Sequence, residues 1–358
     1  MKSLEEARNQ IDTIDQEMAH LFEQRLQVVE SVIQYKIEHS LPILDTARES
    51  QVIEKNSKII QNENYLNYYQ DFMQHLMKIS KAYQHHLSHL DIIGFQGTEG
   101  AFSHIALSRL FPQQKTKAYP SFEDVFKALA HGDISKAVLP FENSYTGEVG
   151  EVFDLLYQYD VKIASIYDLK IEHHLLGLKD ANLSDITDVY SHEQALNQCK
   201  HFLSTQAFKL HEFANTALAA KHVSEKNDLS CAAIASLETA EHFGLQPLVR
   251  NIQSASDNTT RFIVLSKKAE QTGNRLSFMF TVDHQAGSLA KVISAISKHG
   301  FNMENIKSRA VHHQAWKYYF YVEIQGSHQE LITSNLLEDF KRYCQDYKYL
   351  GNYTKQDH

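Results

Sequence analysis

Residues 4–36, LEEARNQIDTIDQEMAHLFEQRLQVVESVIQYK, decide how the first quarter of this chain is read. Leu4, Ile11, Ile14, Met18, Leu21, Val28 and Val32 recur at three-, four- and seven-residue steps with no Gly or Pro among them, the pattern of one long helix with an apolar stripe. Arg8, Arg25 and Lys36 fall on that same stripe, and burying an unpaired cation is costly. Each of them alone can snorkel outward or meet a local acid such as Glu5 or Glu49. Three together, with Arg48, Glu49, Ser80 and Gln84 offered by the helices that follow, point to a pocket for a carboxylated ligand. At about 1.5 Å per residue, Arg8 stands roughly 25 Å from Arg25 and roughly 42 Å from Lys36 on an unbroken helix. No small metabolite bridges those spans. If the three share a ligand, Arg8 comes from an antiparallel partner chain, so the expected state is an intertwined homodimer.

The helical pattern extends over residues 1–89. Pro42 and Asp45 mark a break and an N-cap, a shorter helix runs from Thr46 to about Ile60, and a third carries Leu66, Tyr69, Met73, Leu76, Ser80, Tyr83 and Leu87 on one side. Over residues 90–270 short apolar runs (DIIGFQG, KAVLPFE, VKIASIYDL, LSCAAIAS, RFIVLS) alternate with helical patterns, which predicts an α/β domain with mostly parallel strands. KKAEQTGN reads as a linker, and residues 273–358 follow the order βαββαβ, a ferredoxin-like unit. The expectation is therefore a multidomain chain: all-α, then two-lobed α/β, then α+β.

Composition narrows the partners. The formal charge of -9 and the absence of a clustered basic face argue against nucleic acid. No run of about 18 apolar residues exists for a membrane span, and Met1 opens directly into the amphipathic pattern, so no export is expected. Cys199, Cys231 and Cys344 are odd in number and far apart, which suits a reducing cytoplasm better than a disulfide frame. His85, His86 and His89 have helical spacing, but no carboxylate or Cys completes a ligand set, so no metal and no cofactor are expected.

The spacing Arg8, Arg25, Lys36, Asp45, Arg48, Glu49, Ser80, Gln84 resembles the all-α chorismate mutase domain. That resemblance implies rearrangement of chorismate to prephenate, a unimolecular reaction that needs a held conformer and well-placed donors, with no nucleophile and no proton transfer. It implies that Arg8 of the other chain, Arg25 and Arg48 clamp the carboxylates with help from Ser80. Lys36 and Gln84 donate to the breaking ether oxygen, Glu49 accepts from the ring hydroxyl, and Asp45 orients its loop.

Five polar clusters lie at strand ends of the second segment: GTEGAFS (97–103), LPFENSYTGEV (139–149), VYSHEQALNQC (189–199), ANTALAA (214–220) and DNTTRF (257–262). Singly they read as ordinary turns, although strand ends are where open α/β sheets bind ligands. In this order they resemble the prephenate dehydratase family, with the TRF tripeptide Thr260-Arg261-Phe262 the most telling element. The resemblance implies loss of CO2 and water from prephenate to give phenylpyruvate, with Thr260 hydrogen-bonding the departing hydroxyl, Arg261 organising the anion, and Glu142, Asn143, Ser191, Gln198 and Phe262 near substrate. Glu193 and Thr98 stand where that family often has Pro.

The βαββαβ segment resembles an ACT domain. Gly287-Ser288-Leu289-Ala290 falls at its first strand-to-helix turn, and Lys307-Ser308-Arg309-Ala310 replaces the ESRP usual in relatives, so Ser308 and Arg309 complete the expected effector site. Together these resemblances imply a feedback-regulated bifunctional enzyme of phenylalanine biosynthesis, with phenylalanine as effector, homodimeric or tetrameric. Two rivals stay open: a non-catalytic amino-acid sensor with a helical dimeriser, and an enzyme with one dead site or a preference for arogenate.

Overall fold

The computed structural model describes residues 3–39, 46–88, 92–269, 272–311 and 316–356. The chain divides into two compact units, residues 1–91 and 92–358. The boundary expected between residues 270 and 273 falls inside the second unit.

The first unit is helical: α1 (Leu4–Glu38), α2 (Thr46–Ser57) and α3 (Leu66–Ser88). The stripe read for α3 is the side it turns inward, with Met73 and Ser80 buried. On α1 the outcome is different. Leu4, Ile11, Ile14, Met18, Leu21, Val28 and Val32 are all exposed, and the buried positions are Val29 and Ile33. Each buried position is one residue, about 100° of helix, round from a stripe member. Arg25 meets Ser80 and Glu30 meets Tyr83 in the C-terminal half of α1, and among the described residues no element covers most of the stripe.

The second unit begins with β1 (Ile92–Gln96), α4 (Phe102–Leu110), β2 (Lys115–Tyr119), α5 (Phe122–His131), β3 (Lys136–Asn143), β4 (Gly147–Glu148), α6 (Gly150–Gln158) and β5 (Lys162–Lys170). It crosses to a second lobe made of β6 (His174–Gly177), β7 (Asp188–Ser191), α7 (Glu193–Gln198), α8 (Lys200–Leu203), β8 (Lys209–Glu212), α9 (Thr216–Lys226), β9 (Cys231–Ala235), α10 (Leu237–Phe243) and β10 (Gln246–Val249). It then returns through β11 (Thr259–Ser266) to the first sheet. The expected parallel character holds for β1 with β2 and β3, and for β7 with β8 and β9. It fails at the crossovers, because β11 runs antiparallel to both β3 and β5, and β6 to both β9 and β10. A chain that leaves a lobe and comes back must re-enter the sheet in reverse.

The remaining elements, β12 (Arg275–Thr281), α11 (Ser288–Lys298), β13 (Asn302–Ala310), β14 (Tyr318–Gln325), α12 (His328–Thr333), α13 (Leu336–Tyr343) and β15 (Asp346–Gln356), form an antiparallel sheet in the order β13-β14-β12-β15, the ferredoxin-like arrangement. The end of β15 pairs in parallel with β5, Thr354 opposite Ser165, so this sheet continues into that of the first lobe. Tyr319, Tyr321 and Tyr353 share one apolar core with Phe141 and Phe153.

Candidate active sites

In the helical unit, Arg25 donates from Nη1 to Ser80 Oγ across α1 and α3, and Ser80 in turn donates to the Leu76 carbonyl at 2.9 Å. Partial burial lowers the Arg25 pKa from its ordinary value. Glu49 is paired with Lys81 at 3.1 Å, a partner the sequence reading missed although it lies one residue beyond Ser80. Gln84 carries a buried amide oxygen with no hydrogen-bond partner among the described residues. Lys36 is half-buried, while Arg48 and Arg8 are exposed. Because α1 is continuous from Leu4 to Glu38, Arg8 cannot meet Arg25 within one chain. Asp45 and His89 lie outside the described residues, as do the side chains of His85 and His86.

In the second unit a cleft of about 210 Å³ opens between the lobes. Its walls include Asn143 and Thr260 from the first sheet, Asn258 and His173 from the two crossovers, and Gln198 from α7. The N-terminus of α4, at Ala101 and Phe102, and that of α9, at Asn215 and Thr216, also face it. None of the lining residues is an Asp, Glu, Lys or Arg.

The polarity of the cleft is set by backbone. The amides of Tyr145 and Thr146 donate to Asn143 Oδ1 at 3.0 and 3.1 Å, which fixes which end of that side chain is oxygen. Asn143 Nδ2 therefore donates to Asn258 Oδ1 at 2.8 Å and to Thr260 Oγ1 at 2.9 Å. Asn258 Nδ2 donates to Gln198 Oε1 at 3.0 Å. Since the Thr260 oxygen accepts within the protein, its proton is left to donate into the cleft.

The expected dehydratase residues divide here. Asn143, Gln198 and Thr260 meet in the cleft, but Glu142, Ser191, Arg261 and Phe262 do not line it. Side chains alternate along β11, so Arg261 points away from the face of Thr260 and forms a bidentate pair with Asp168 at 2.9 and 3.1 Å. That pairing raises the Arg261 pKa, and Lys355 joins the same carboxylate at 2.9 Å. Glu142 is held by Lys307 of β13 at 2.5 Å. Phe262 is core, and buried Ser191 donates to the Ile234 carbonyl at 2.7 Å. Glu193 is the first residue of α7, where an acid suits the helix dipole as Pro suits the backbone. Asn215 and Asn258 belong to polar clusters already legible as such. His173 was missed, because IEHHLL reads as the entry to a buried strand.

In the ferredoxin-like part, Gly287 has φ +83° and opens α11, with Ser288, Leu289 and Ala290 in the first turn. Ser308 is exposed on β13. Arg309 is already engaged, donating to Asp154 at 3.0 and 2.9 Å and to Glu148 at 2.8 Å.

The chain thus joins a helical unit that carries the expected cations to a two-lobed α/β unit with a polar cleft, the organisation of a two-domain enzyme. Residues 7–85 match the family model for chorismate mutase type II, and residues 93–270 that for prephenate dehydratase. The bifunctional chorismate mutase/prephenate dehydratase of Aquifex aeolicus is 30% identical over 99% of this chain and 99% of that one. Among solved structures, one described as GqqA, a quorum quenching acylase, is 27% identical with a TM-score of 0.68, covering 74% of this chain and 98% of that chain. The prephenate dehydratase of Arthrobacter aurescens, solved with L-Phe, has the same TM-score at 21% identity, covering 74% of this chain and 90% of that chain. The chain belongs to the bifunctional chorismate mutase/prephenate dehydratases.

Proposed function

We propose that the enzyme converts chorismate to prephenate in the helical unit and prephenate to phenylpyruvate in the cleft, with the side chains dividing the work as follows. Arg25, steered by Ser80, and Arg48 bind the two carboxylates of chorismate, joined by Arg8 of a second copy. Lys36 and Gln84 donate to the ether oxygen as its bond to carbon breaks and the new carbon–carbon bond forms. Glu49 accepts from the ring hydroxyl, with its carboxylate held in place by Lys81.

In the dehydratase step the electrons of the bond to the leaving carboxylate pass through the ring and expel the hydroxyl, giving CO2, water and an aromatic ring. The hydroxyl needs a proton or a strong hydrogen bond as it departs. The observation that carries this reading is the Asn143 Nδ2 to Thr260 Oγ1 hydrogen bond, which leaves the Thr260 proton for that oxygen. With no cation in the lining, the dianion is met by neutral donors such as the Gln198 amide and by the N-termini of α4 and α9, whose free backbone N–H groups and dipoles favour negative charge.

The proposal extends to phenylalanine as an effector held by an ACT domain over residues 273–358, at the Gly287–Ala290 turn. The ferredoxin-like topology and the L-Phe complex of the Arthrobacter relative support it. The setting proposed is the cytoplasm: no helix among the described residues is long and apolar enough to cross a membrane, and Cys199 and Cys231 are buried free thiols. Purified protein given chorismate alone should form phenylpyruvate. Lys36→Ala should stop the first half only, so that added prephenate is still consumed. Thr260→Ala should let prephenate accumulate, its dehydratase turnover falling roughly 10²-fold or more. A Thr260→Ala enzyme that still makes phenylpyruvate at the normal rate would sink the assignment.

A further inference from the structure

His173 sits where the chain first crosses between lobes, 2% exposed. Its backbone is pinned on both sides: its N–H donates to Gln253 Oε1 at 3.0 Å, and its carbonyl accepts from the Ile252 amide at 2.9 Å. Its ring forms part of the cleft wall and stands edge-on to Phe102, with centroids 5.7 Å apart. The Nε2 atom lies 2.8 Å from Gln198 Oε1.

The chain of amide polarities now settles the tautomer. Gln198 Oε1 is the oxygen because Asn258 Nδ2 donates to it, and Asn258 is oriented by Asn143, which is oriented by two backbone amides. Nε2 must therefore carry the proton. Nδ1 is left bare, and it is buried without a partner. Burial pushes the ring pKa down to about 4, so the imidazole stays neutral at ordinary pH. Protonating it would add an unpaired N–H to the interior.

We infer that His173 is a positioning residue for the dehydratase step: with Asn258 it holds Gln198 Oε1 from two sides, so that both amide protons of Gln198 are presented to the anionic substrate. The Gln198 amide nitrogen has no protein partner among the described residues, as a group reserved for a ligand should not. The inference rests on the dehydratase reading of the cleft. It assigns work to a histidine of the cleft wall that acts through its neighbour.

The test measures dehydratase turnover of prephenate by the full chain, with mutase turnover and thermal unfolding recorded on the same samples. His173→Leu removes the donor and should lower dehydratase kcat/KM about tenfold, the worth of one hydrogen bond. Gln198→Leu should lower it at least as much, and the double variant no further than Gln198→Leu alone, because the histidine acts only through that amide. His173→Gln places an amide N–H near the former Nε2 and should recover most of the loss. His173→Asn reaches only the Nδ1 position and should not. Additive losses in the double variant, a folded His173→Leu enzyme of normal kcat/KM, or equal activity of the Gln and Asn variants would overturn the inference. If His173→Leu does not fold, the Gln and Asn pair decides by itself. A wild-type chain unable to consume prephenate would instead sink the dehydratase reading on which the inference stands.

Discussion

At the scale of single residues, direction is what the cleft has to supply, and it comes from the main chain. Two amides in the turn after β3 decide the orientation of Asn143, and through it those of Asn258, Thr260 and Gln198. A hydroxyl or primary amide in water points either way, whereas here each is a committed donor before substrate arrives, which is preorganisation in the sense that lowers a barrier. The buried imidazole at the end of the relay gives this arrangement a pH signature. Its folded-state pKa is about 4 against an ordinary 6.5, mainly through burial. Above pH 6.5 the ring is neutral folded or unfolded, and the full stability is present. As pH falls below 6.5 the unfolded chain takes up a proton that the folded one refuses, so stability drains away until pH 4. For this group alone the loss at pH 5 relative to pH 7 amounts to about 2 kcal/mol. Urea unfolding of wild type and His173→Gln at the two pH values checks it: the variant should lose less on acidification by about that amount, and equal losses would refute the assignment.

At the scale of elements, the seam between β13 and the first lobe is built from charge. Arg309 forks onto Asp154 and also reaches Glu148, Tyr319 donates to Asp154 at 2.7 Å, and Lys307 holds Glu142. Asp154 is only 8% exposed, so removing Arg309 takes two charge-assisted hydrogen bonds from a buried carboxylate. Arg309→Ala should therefore destabilise the second unit by about 3–5 kcal/mol, and Arg309→Lys should recover little because a point charge cannot replace the fork. Replacing both members together, as Asp154→Leu with Arg309→Met, should restore much of the loss. An Arg309→Ala chain whose second unit unfolds at the wild-type urea concentration would contradict this. The same seam marks what the sequence could and could not say. The order βαββαβ was readable from hydrophobic periodicity, and so was Thr260 at the mouth of a buried strand. That Lys307 and Arg309 would spend their charge on Glu142, Glu148 and Asp154 was not, since those partners lie more than 150 residues away and no local pattern encodes them. Arg261 falls outside the cleft lining for a related reason: sequence adjacency to Thr260 suggests a shared site, while the two-residue period of a strand puts neighbours on opposite faces. The direction of β11 was hidden too, because a buried strand has the same apolar run whether it pairs parallel or antiparallel.

At the scale of the whole molecule, α1 poses the question that one chain does not answer. Leu4, Ile11, Leu21 and Val28 are each more than half exposed, a stripe far longer than the scattered apolar residues normal on a surface. Such a stripe on a helix of 35 residues asks for a second helix of matching length, and the polar residues on it ask for the same thing. Arg8 lies roughly 25 Å from Arg25 along α1, so if the two share a ligand, as proposed, Arg8 serves the site of the other copy. A two-fold pairing then makes two identical sites, each with Arg8 from one chain and Lys36 from its partner. Mixing inactive variants tests this directly. Arg8→Ala and Lys36→Ala should each lack mutase activity as homodimers while consuming prephenate normally. In a mixed dimer, one site carries both lesions and the other carries neither. After unfolding and refolding of an equimolar mixture, half the dimers are mixed, so mutase activity should return to about a quarter of wild type. If Arg8 and Lys36 belonged to the same chain's site, every site in every dimer would carry one lesion. No activity would return, and the interlocked arrangement would have to be abandoned.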